Sequence, residues 1–243
     1  MQNWENVLER LQTMEHEIAR LNAVVEIQNL MGRYETLLVP QTMNRVADEI
    51  FATWMDDVSM EVSDRGVFQG IEAVRYLFSV CMGADNEPQL NGVPDLRGAM
   101  YLHHINTPMI EVAQDCNTAH AVWYSSGLET PFDKTLQCRK AKWCWGKYSV
   151  EFIRGECGWR VWHMHWFRGF MNDYERSWVE DFKNDAKDTT DREKLGVRVL
   201  PTTFHRPYDP NQEVLPVPRN PEPYQTHKNS DWIYDHWLEV EGK

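Results

Sequence analysis

Long apolar runs, paired cysteines and an excess of positive charge are all missing from this 243-residue chain. No stretch approaches the about 20 apolar residues that a membrane-spanning helix needs, and the first residues are charged and helix-prone rather than an apolar leader. Neither membrane insertion nor export is expected, and the chain reads as cytoplasmic. The five cysteines, Cys81, Cys116, Cys138, Cys144 and Cys157, are odd in number and never spaced Cys-x-x-Cys. That argues for reduced thiols and against a disulfide framework. Lys and Arg number 25 against 37 Asp and Glu, a formal charge of −12. Such a surface repels phosphate backbones and anionic lipid, so neither nucleic acid nor membrane is an expected partner. Tryptophan, by contrast, is abundant: there are eleven, five of them at Trp143, Trp145, Trp159, Trp162 and Trp166. An aromatic-lined cavity or an aromatic subunit interface accounts for that clustering, and a small hydrophobic aromatic molecule is the expected ligand.

Residues 4–38 read as one helix. Trp4, Val7, Leu11, Met14, Ile18, Leu21 and Val25 alternate by threes and fours, the heptad pattern of a helix with a partner, so a homodimer or homotrimer is expected. From Val24 onward the apolar content rises through Ile27, Met31, Tyr34 and Leu38, and this half should enter the core until Pro40 ends it. A helix over 44–54, strands over 58–62 and 66–70 and a helix over 71–81 follow. The Gly- and Pro-rich stretch 83–98 reads as a loop able to act as a lid. Strands are expected over 100–112, 118–128, 143–154 and 159–170, the last two joined by a Gly-Glu-Cys-Gly turn. Helices followed by a long antiparallel meander describe an α+β fold in which a curved, mainly antiparallel sheet cups the N-terminal helices. We place one domain over 1–172, with 1–25 as its heptad helix. An extension over 173–243 is charged and helical to 194 and then Pro-rich. Its Phe204, Tyr208, Tyr224, Trp232, Tyr234 and Trp237 favour docking over a free tail.

Histidine placement is the main functional signal. His103 and His104 interrupt an apolar strand, and strand alternation sends His103 to one face with Tyr101 and Ile105, and His104 to the other. A histidine in a water-poor pocket can move protons near neutral pH without a cofactor. His163 and His165 alternate on a second strand with Trp159 and Val161, which anchor the core, so at least one of them should reach the cavity. His163-x-His165 could also be one arm of a metal site, but no third ligand can be placed, and neither metal nor cofactor is expected. Trp123 and Trp143 are candidates for the cavity wall. Asp57 is expected at a turn, Glu61 has no assignment, and Lys140 and Lys142 read as solvated strand edge.

The order of these elements resembles the SnoaL-like branch of the nuclear transport factor 2-like superfamily. The residues that carry it are Gly32-Arg33-Tyr34, His103 to Pro108 with Ile110, Asn117-Thr118-Ala119 leading to Trp123-Tyr124, and Trp159-Arg160-Val161. The pattern is most similar to the bile-acid dehydratase type, more distantly to scytalone dehydratase. The resemblance implies a cone-shaped α+β barrel with a hydrophobic pocket at its open end. It also implies that Tyr34 helps a substrate hydroxyl leave while His103 moves the proton. The two aspartates of the bile-acid pattern fall on Val39 and Gly127, so both acids are missing from their positions.

Without them, proton abstraction from carbon lacks its base. Expulsion of a benzylic hydroxyl from a para-hydroxylated aromatic needs less, since a Tyr and a His suffice to reach a quinone methide. The chain looks similar to SnoaL-like lyases that convert lignin-derived diarylpropane diols to stilbenes with release of formaldehyde. The expected function is therefore a cofactor-independent lyase. In it His103 or His165 relays the proton, Tyr34 polarises the leaving hydroxyl, and Tyr101, Trp123, Trp143, His163 and Ile105 hold the substrate. Two alternatives share the pocket or the fold: a steroid- or polyketide-type dehydratase or isomerase, and a non-catalytic subunit like the small subunits of ring-hydroxylating oxygenases.

Overall fold

In the computed structural model, residues 2–182, 195–228 and 232–233 are described. Helix α1 spans Gln2–Leu37, a 3-10 turn covers Met43–Arg45, and α2 is Val46–Ile50. Strands β1 (Ser59–Val62) and β2 (Gly66–Gln69) form a hairpin, followed by α3 (Ile71–Tyr76) and a π-helical turn over Leu77–Cys81. The 83–98 stretch contains a small hairpin, β3 (Gln89–Leu90) with β4 (Val93–Pro94). The long strands are β5 (Tyr101–Val112), β6 (Thr118–Glu129), β9 (Lys142–Gly155) and β10 (Gly158–Asp173). A second small hairpin, β7 (Phe132–Asp133) with β8 (Cys138–Arg139), lies between β6 and β9, and β11 is Val199–Leu200.

The main sheet has seven strands in the order β11-β2-β1-β10-β9-β6-β5, all antiparallel except for β1 beside β10. It is an open, curved sheet, and the fold is α+β as the pattern of elements predicts. Its concave face receives the second half of α1, where Ile27, Met31 and Tyr34 are buried, together with α2 and α3. Each such large side chain withdrawn from water contributes roughly 1.5–3 kcal/mol. The first half of α1 keeps its heptad stripe in solvent, with Trp4, Leu11, Met14 and Leu21 exposed. At the turn between β9 and β10, Gly158 has φ 86°, a left-handed conformation that glycine adopts without a Cβ penalty.

The convex face is also covered, and by the chain's own C-terminal arm. Strand β11 pairs with β2, Phe204 packs on Phe167, and the Val217 carbonyl accepts from Lys147 Nζ at 3.1 Å. Docking of the arm agrees with its aromatic content. The helix expected over 172–194 is not present as far as 182, where turns follow β10. Residues 183–194, Tyr234 and Trp237 lie outside the described residues.

Glu61, buried on β1, ties the arm down. Its carboxylate accepts from Thr202 Oγ1 at 2.7 Å, the Thr203 amide at 2.7 Å and Thr203 Oγ1 at 2.8 Å, and it faces His165 Nδ1 at 3.4 Å. Replacing Glu61 removes both the carboxylate that faces the fully buried His165 and the acceptor shared by Thr202 and Thr203. Glu61→Ala should cost about 3–5 kcal/mol, read as a lower urea midpoint, and should make the arm beyond residue 200 the first segment cut in limited proteolysis.

Candidate active site

A cavity of about 130 Å³ opens on the concave face between α1, the start of β5, the middle of β9 and the ends of β6 and β10. Tyr34, Tyr101, His103, Tyr148 and Trp166 line it, with Asp64, Arg65, Glu129 and Arg168 supplying charge. Met82, Pro131 and the exposed Asn86 also line it, beside the stretch read as a lid. That stretch is fastened by Arg139, which donates to Glu87 at 2.9 Å and to the carbonyls of Asp95 and Arg97.

The centre of the cavity is an imidazole–carboxylate pair. His103 Nε2 lies 3.0 Å from Glu129 Oε1, an ion pair when the ring is protonated. They face each other because β5 pairs with β6 in a register that sets His103 opposite Gly127, two residues from Glu129 and on the same face. Gly127 is required there: a Cβ at that position would lie 2.6 Å from His103 Nδ1. Burial pushes the imidazole pKa down, but the hydrogen bond and charge of Glu129, with the charge of Glu35, outweigh it and leave the ring above its ordinary value. Glu129 shows the converse balance. Burial raises its carboxyl, and His103, Arg65 and the Cys144 thiol bring it below the ordinary carboxylate range.

Around this pair sit groups that keep their protons. Tyr34 Oη donates weakly to Tyr148 Oη at 3.5 Å, and burial pushes both phenols well above the ordinary range. Tyr101 is pushed up to about 12 by burial, then by the charges of Glu129 and Glu87. These phenols act as neutral hydrogen-bond donors. Three buried polar atoms of cavity residues, His103 Nδ1, Trp166 Nε1 and Asp64 Oδ1, have no hydrogen-bond partner. Unsatisfied groups of this kind are costly unless a ligand takes them up. Glu35, next to Tyr34 on α1, is a partly buried acid whose two carboxyl oxygens are buried and unpartnered. Burial raises its carboxyl to about 7, against a lowering by His103.

Of the residues expected at the site, Tyr34, Tyr101 and His103 line the cavity. Ile105 packs against the core on the same strand face, outside the lining, and Trp123 is a buried core residue against Phe152. Trp143 belongs to the alternation of β9 opposite to that of the core residues Cys144 and Tyr148, and stacks on Tyr174 outside the cavity. His163 and His165 require a correction. A β-bulge between Val161 and His163 inserts Trp162 as an extra residue, so Met164 and Trp166 continue the core face of Trp159 and Val161. Both histidines are thereby turned to the convex face, His163 to Glu151 at 2.6 Å and His165 to Glu61. Glu35, Glu129, Tyr148, Arg65 and Arg168 were not singled out from the sequence. Glu129 was accessible in principle, as the same-face neighbour two residues beyond Gly127.

The SnoaL-like domain family matches residues 19–165. Among solved structures the fold is similar to a type 2 hexachlorocyclohexane dehydrochlorinase, LinA, at 14% identity and a TM-score of 0.51 over 66% of this chain and 95% of that one. It is also similar to LinA-type3 from Novosphingobium barchaimii LL02, at 16% identity and a TM-score of 0.48 over 66% and 96% of the two chains. A third is a protein provisionally assigned as a scytalone dehydratase from Novosphingobium aromaticivorans DSM 12444, at 12% identity and a TM-score of 0.48 over 72% and 97%. No curated protein matches the chain.

Two stability measurements check this geometry. Glu35 binds its proton more tightly folded, near pH 7, than unfolded, near 4.5, so its contribution to stability falls as pH rises through that window and is constant above it. Glu35→Gln should therefore raise the thermal midpoint more at pH 8 than at pH 5, the removed penalty being on the order of 3 kcal/mol. Gly127→Ala should cost about 1–3 kcal/mol in urea unfolding, because the added methyl must displace the His103 ring.

Proposed function

The chain belongs to the SnoaL-like domain family, and from that premise we propose that it is a lyase whose chemistry needs no cofactor and whose His103–Glu129 pair eliminates a hydroxyl from a bulky aromatic substrate. The observation that carries the reading is the carboxylate-backed imidazole inside a cavity walled by phenols and an indole. Elimination is a reaction this scaffold hosts, since a protein of the same fold is named as a dehydrochlorinase. The cavity volume of about 130 Å³ is comparable to a space that holds one benzene ring. A two-ring substrate would place one ring inside and extend the other past Asn86 and Pro131.

The most specific substrate class is a lignin-derived diarylpropane diol with a free para-hydroxyl, converted to a stilbene, water and formaldehyde. The phenol first loses its proton to solvent at the cavity mouth, where Arg65 stabilises the phenolate. The benzylic C–O bond then breaks, and the departing hydroxyl takes a proton from the His103 imidazolium, leaving water and a quinone methide. Tyr34, a neutral donor, steadies that oxygen as it leaves. The now neutral His103 next removes the proton of the terminal hydroxymethyl group. Its carbon–carbon bond breaks, the electron pair restores the phenolate, and the carbon leaves as formaldehyde. His103 ends protonated, ready for another cycle, and no oxidant or reductant enters. The Glu129 charge supports this sequence by holding the ring protonated at the start.

A second reading has its own support. An imidazole backed by a carboxylate is also competent to take a proton from carbon beside a carbonyl, which favours steroid- or polyketide-type dehydration on the same cavity. The acids missing from Val39 and Gly127 are functionally replaced in either scheme by Glu129.

The test is incubation of chelator-treated protein with a phenolic diarylpropane diol, following stilbene absorbance and trapping formaldehyde. Both products should appear in equal amounts, and His103→Ala should lower kcat by about a hundred- to ten-thousandfold. Tyr34→Phe should lower it by less. Turnover of a β-hydroxy enone in place of the diol would select the second reading, and near-full activity in both variants would refute either.

A further inference from the structure

On the convex face, away from the cavity, three metal-ligating atoms converge. His120 on β6, Glu151 on β9 and His227 in the arm each offer one ligand atom within 4.8 Å of the others, and His120 Nε2, Glu151 Oε1 and His227 Nδ1 are buried without a hydrogen bond. The residues that carry them on the sheet are 93–99% withdrawn from solvent, at 7% and 1% exposure for His120 and Glu151. His120 and Glu151 are register partners across β6 and β9, with Nε2 and Oε1 3.5 Å apart. With both ring nitrogens unprotonated, their lone pairs and the carboxylate oxygen repel each other, and a cation among them removes both that repulsion and the cost of three unsatisfied buried atoms.

The surroundings hold these atoms in place. Glu151 Oε2 accepts from His163 Nδ1 at 2.6 Å, which leaves Oε1 for the centre of the cluster. His163 Nε2 in turn lies 3.8 Å from Asp57, whose other oxygen accepts from the Trp162 indole at 2.7 Å. This chain of outer contacts fixes a carboxylate ligand in the way that supporting groups do around metal sites. The His120 ring is clamped between Tyr224 at 4.3 Å and Trp232 at 4.6 Å, nearly parallel to both. The arm is fixed locally by the Gln114 amide donating to the Tyr224 carbonyl at 3.0 Å, and by the Asp115 amide donating to the Gln225 carbonyl at 3.1 Å.

We propose that His120, Glu151 and His227 bind one divalent transition-metal ion, and that this ion fastens the C-terminal arm to the sheet. Two imidazole nitrogens and one carboxylate oxygen, with no thiolate, suit zinc, whose fourth position a water can take in the adjoining cavity lined by Gln225 and Thr226. Because one ligand comes from the arm and two from the sheet, binding energy becomes docking energy for the arm. The proposal departs from the expected absence of a metal for a concrete reason. The third ligand lies in a distant segment, and the His163-x-His165 pair supplies an outer contact rather than two ligands.

The experiment titrates Zn²⁺ into metal-stripped full-length protein by calorimetry, with thermal unfolding in parallel. One equivalent should bind, and the thermal midpoint should rise. His227→Ala, a change in the arm that leaves the sheet intact by far-ultraviolet dichroism, should abolish both effects, whereas His103→Ala should keep them. Co²⁺ in place of Zn²⁺ should give visible d–d bands and no thiolate charge-transfer band. Absence of stoichiometric binding would overturn the proposal. So would binding lost in His103→Ala but retained in His227→Ala, or a thiolate band, since each would place the ion with His103, Glu129 and Cys144 instead.

Discussion

The central strands β9 and β10 are covered on both faces, by helices on one side and by the arm on the other, and that double burial governs everything else in the molecule. A sheet wet on one side can carry polar residues at no cost. Here the convex face bears Glu61, Glu151, His163 and His165, all buried, and each charge must meet a partner or lose several kcal/mol. The partners are found across strands and in the arm: Glu151 with His163, and Glu61 with His165 and residues 202–204. Trp162, the bulge residue, decides which side chains face this polar layer and which face the cavity. Without it, strand alternation would carry the histidines inward and Met164 and Trp166 outward.

The cavity that results has a simple electrostatic design. One imidazole and its close carboxylate share the cavity with Asp64, Arg65, Arg168, three phenols, an indole and methionines, and the carboxyl of Glu35 acts on the imidazole from outside that lining. Burial alone would strip His103 of its charge, and Glu129 restores it. Glu35 lies on the other side of the same balance, since burial holds its proton on and only the His103 charge opposes that. Two carboxyls of one type thus stand in opposite protonation tendencies around one imidazole, an arrangement suited to acid–base chemistry at neutral pH.

Much of this is legible in the chain. The four long strands fall within a few residues of the bounds that alternation and turn residues mark, Tyr101 and His103 follow from strand alternation, and Tyr34 follows from the family resemblance. The parallel pairing of β1 with β10 is not, because it joins segments about a hundred residues apart through tertiary contacts rather than a turn. Nor is the bulge: His163 and His165 look like cavity residues under strict alternation, and no turn or glycine in that stretch announces an extra residue. Glu129 shares the strand face of Gly127, but its pairing with His103 depends on tertiary register. Only the β5–β6 register, with the His103 ring packed over Gly127, brings that carboxylate to the imidazole.

The claim on which this account rests is that His103 and Glu129 form a coupled acid–base pair. The most direct measurement is the pH titration of the His103 ring protons by NMR in the wild type and in Glu129→Gln, assigned with His103→Ala. The account predicts a wild-type imidazole that titrates above the ordinary histidine value and falls below it in Glu129→Gln. A His103 that titrates identically in both proteins, or below the ordinary value in the wild type, would contradict it.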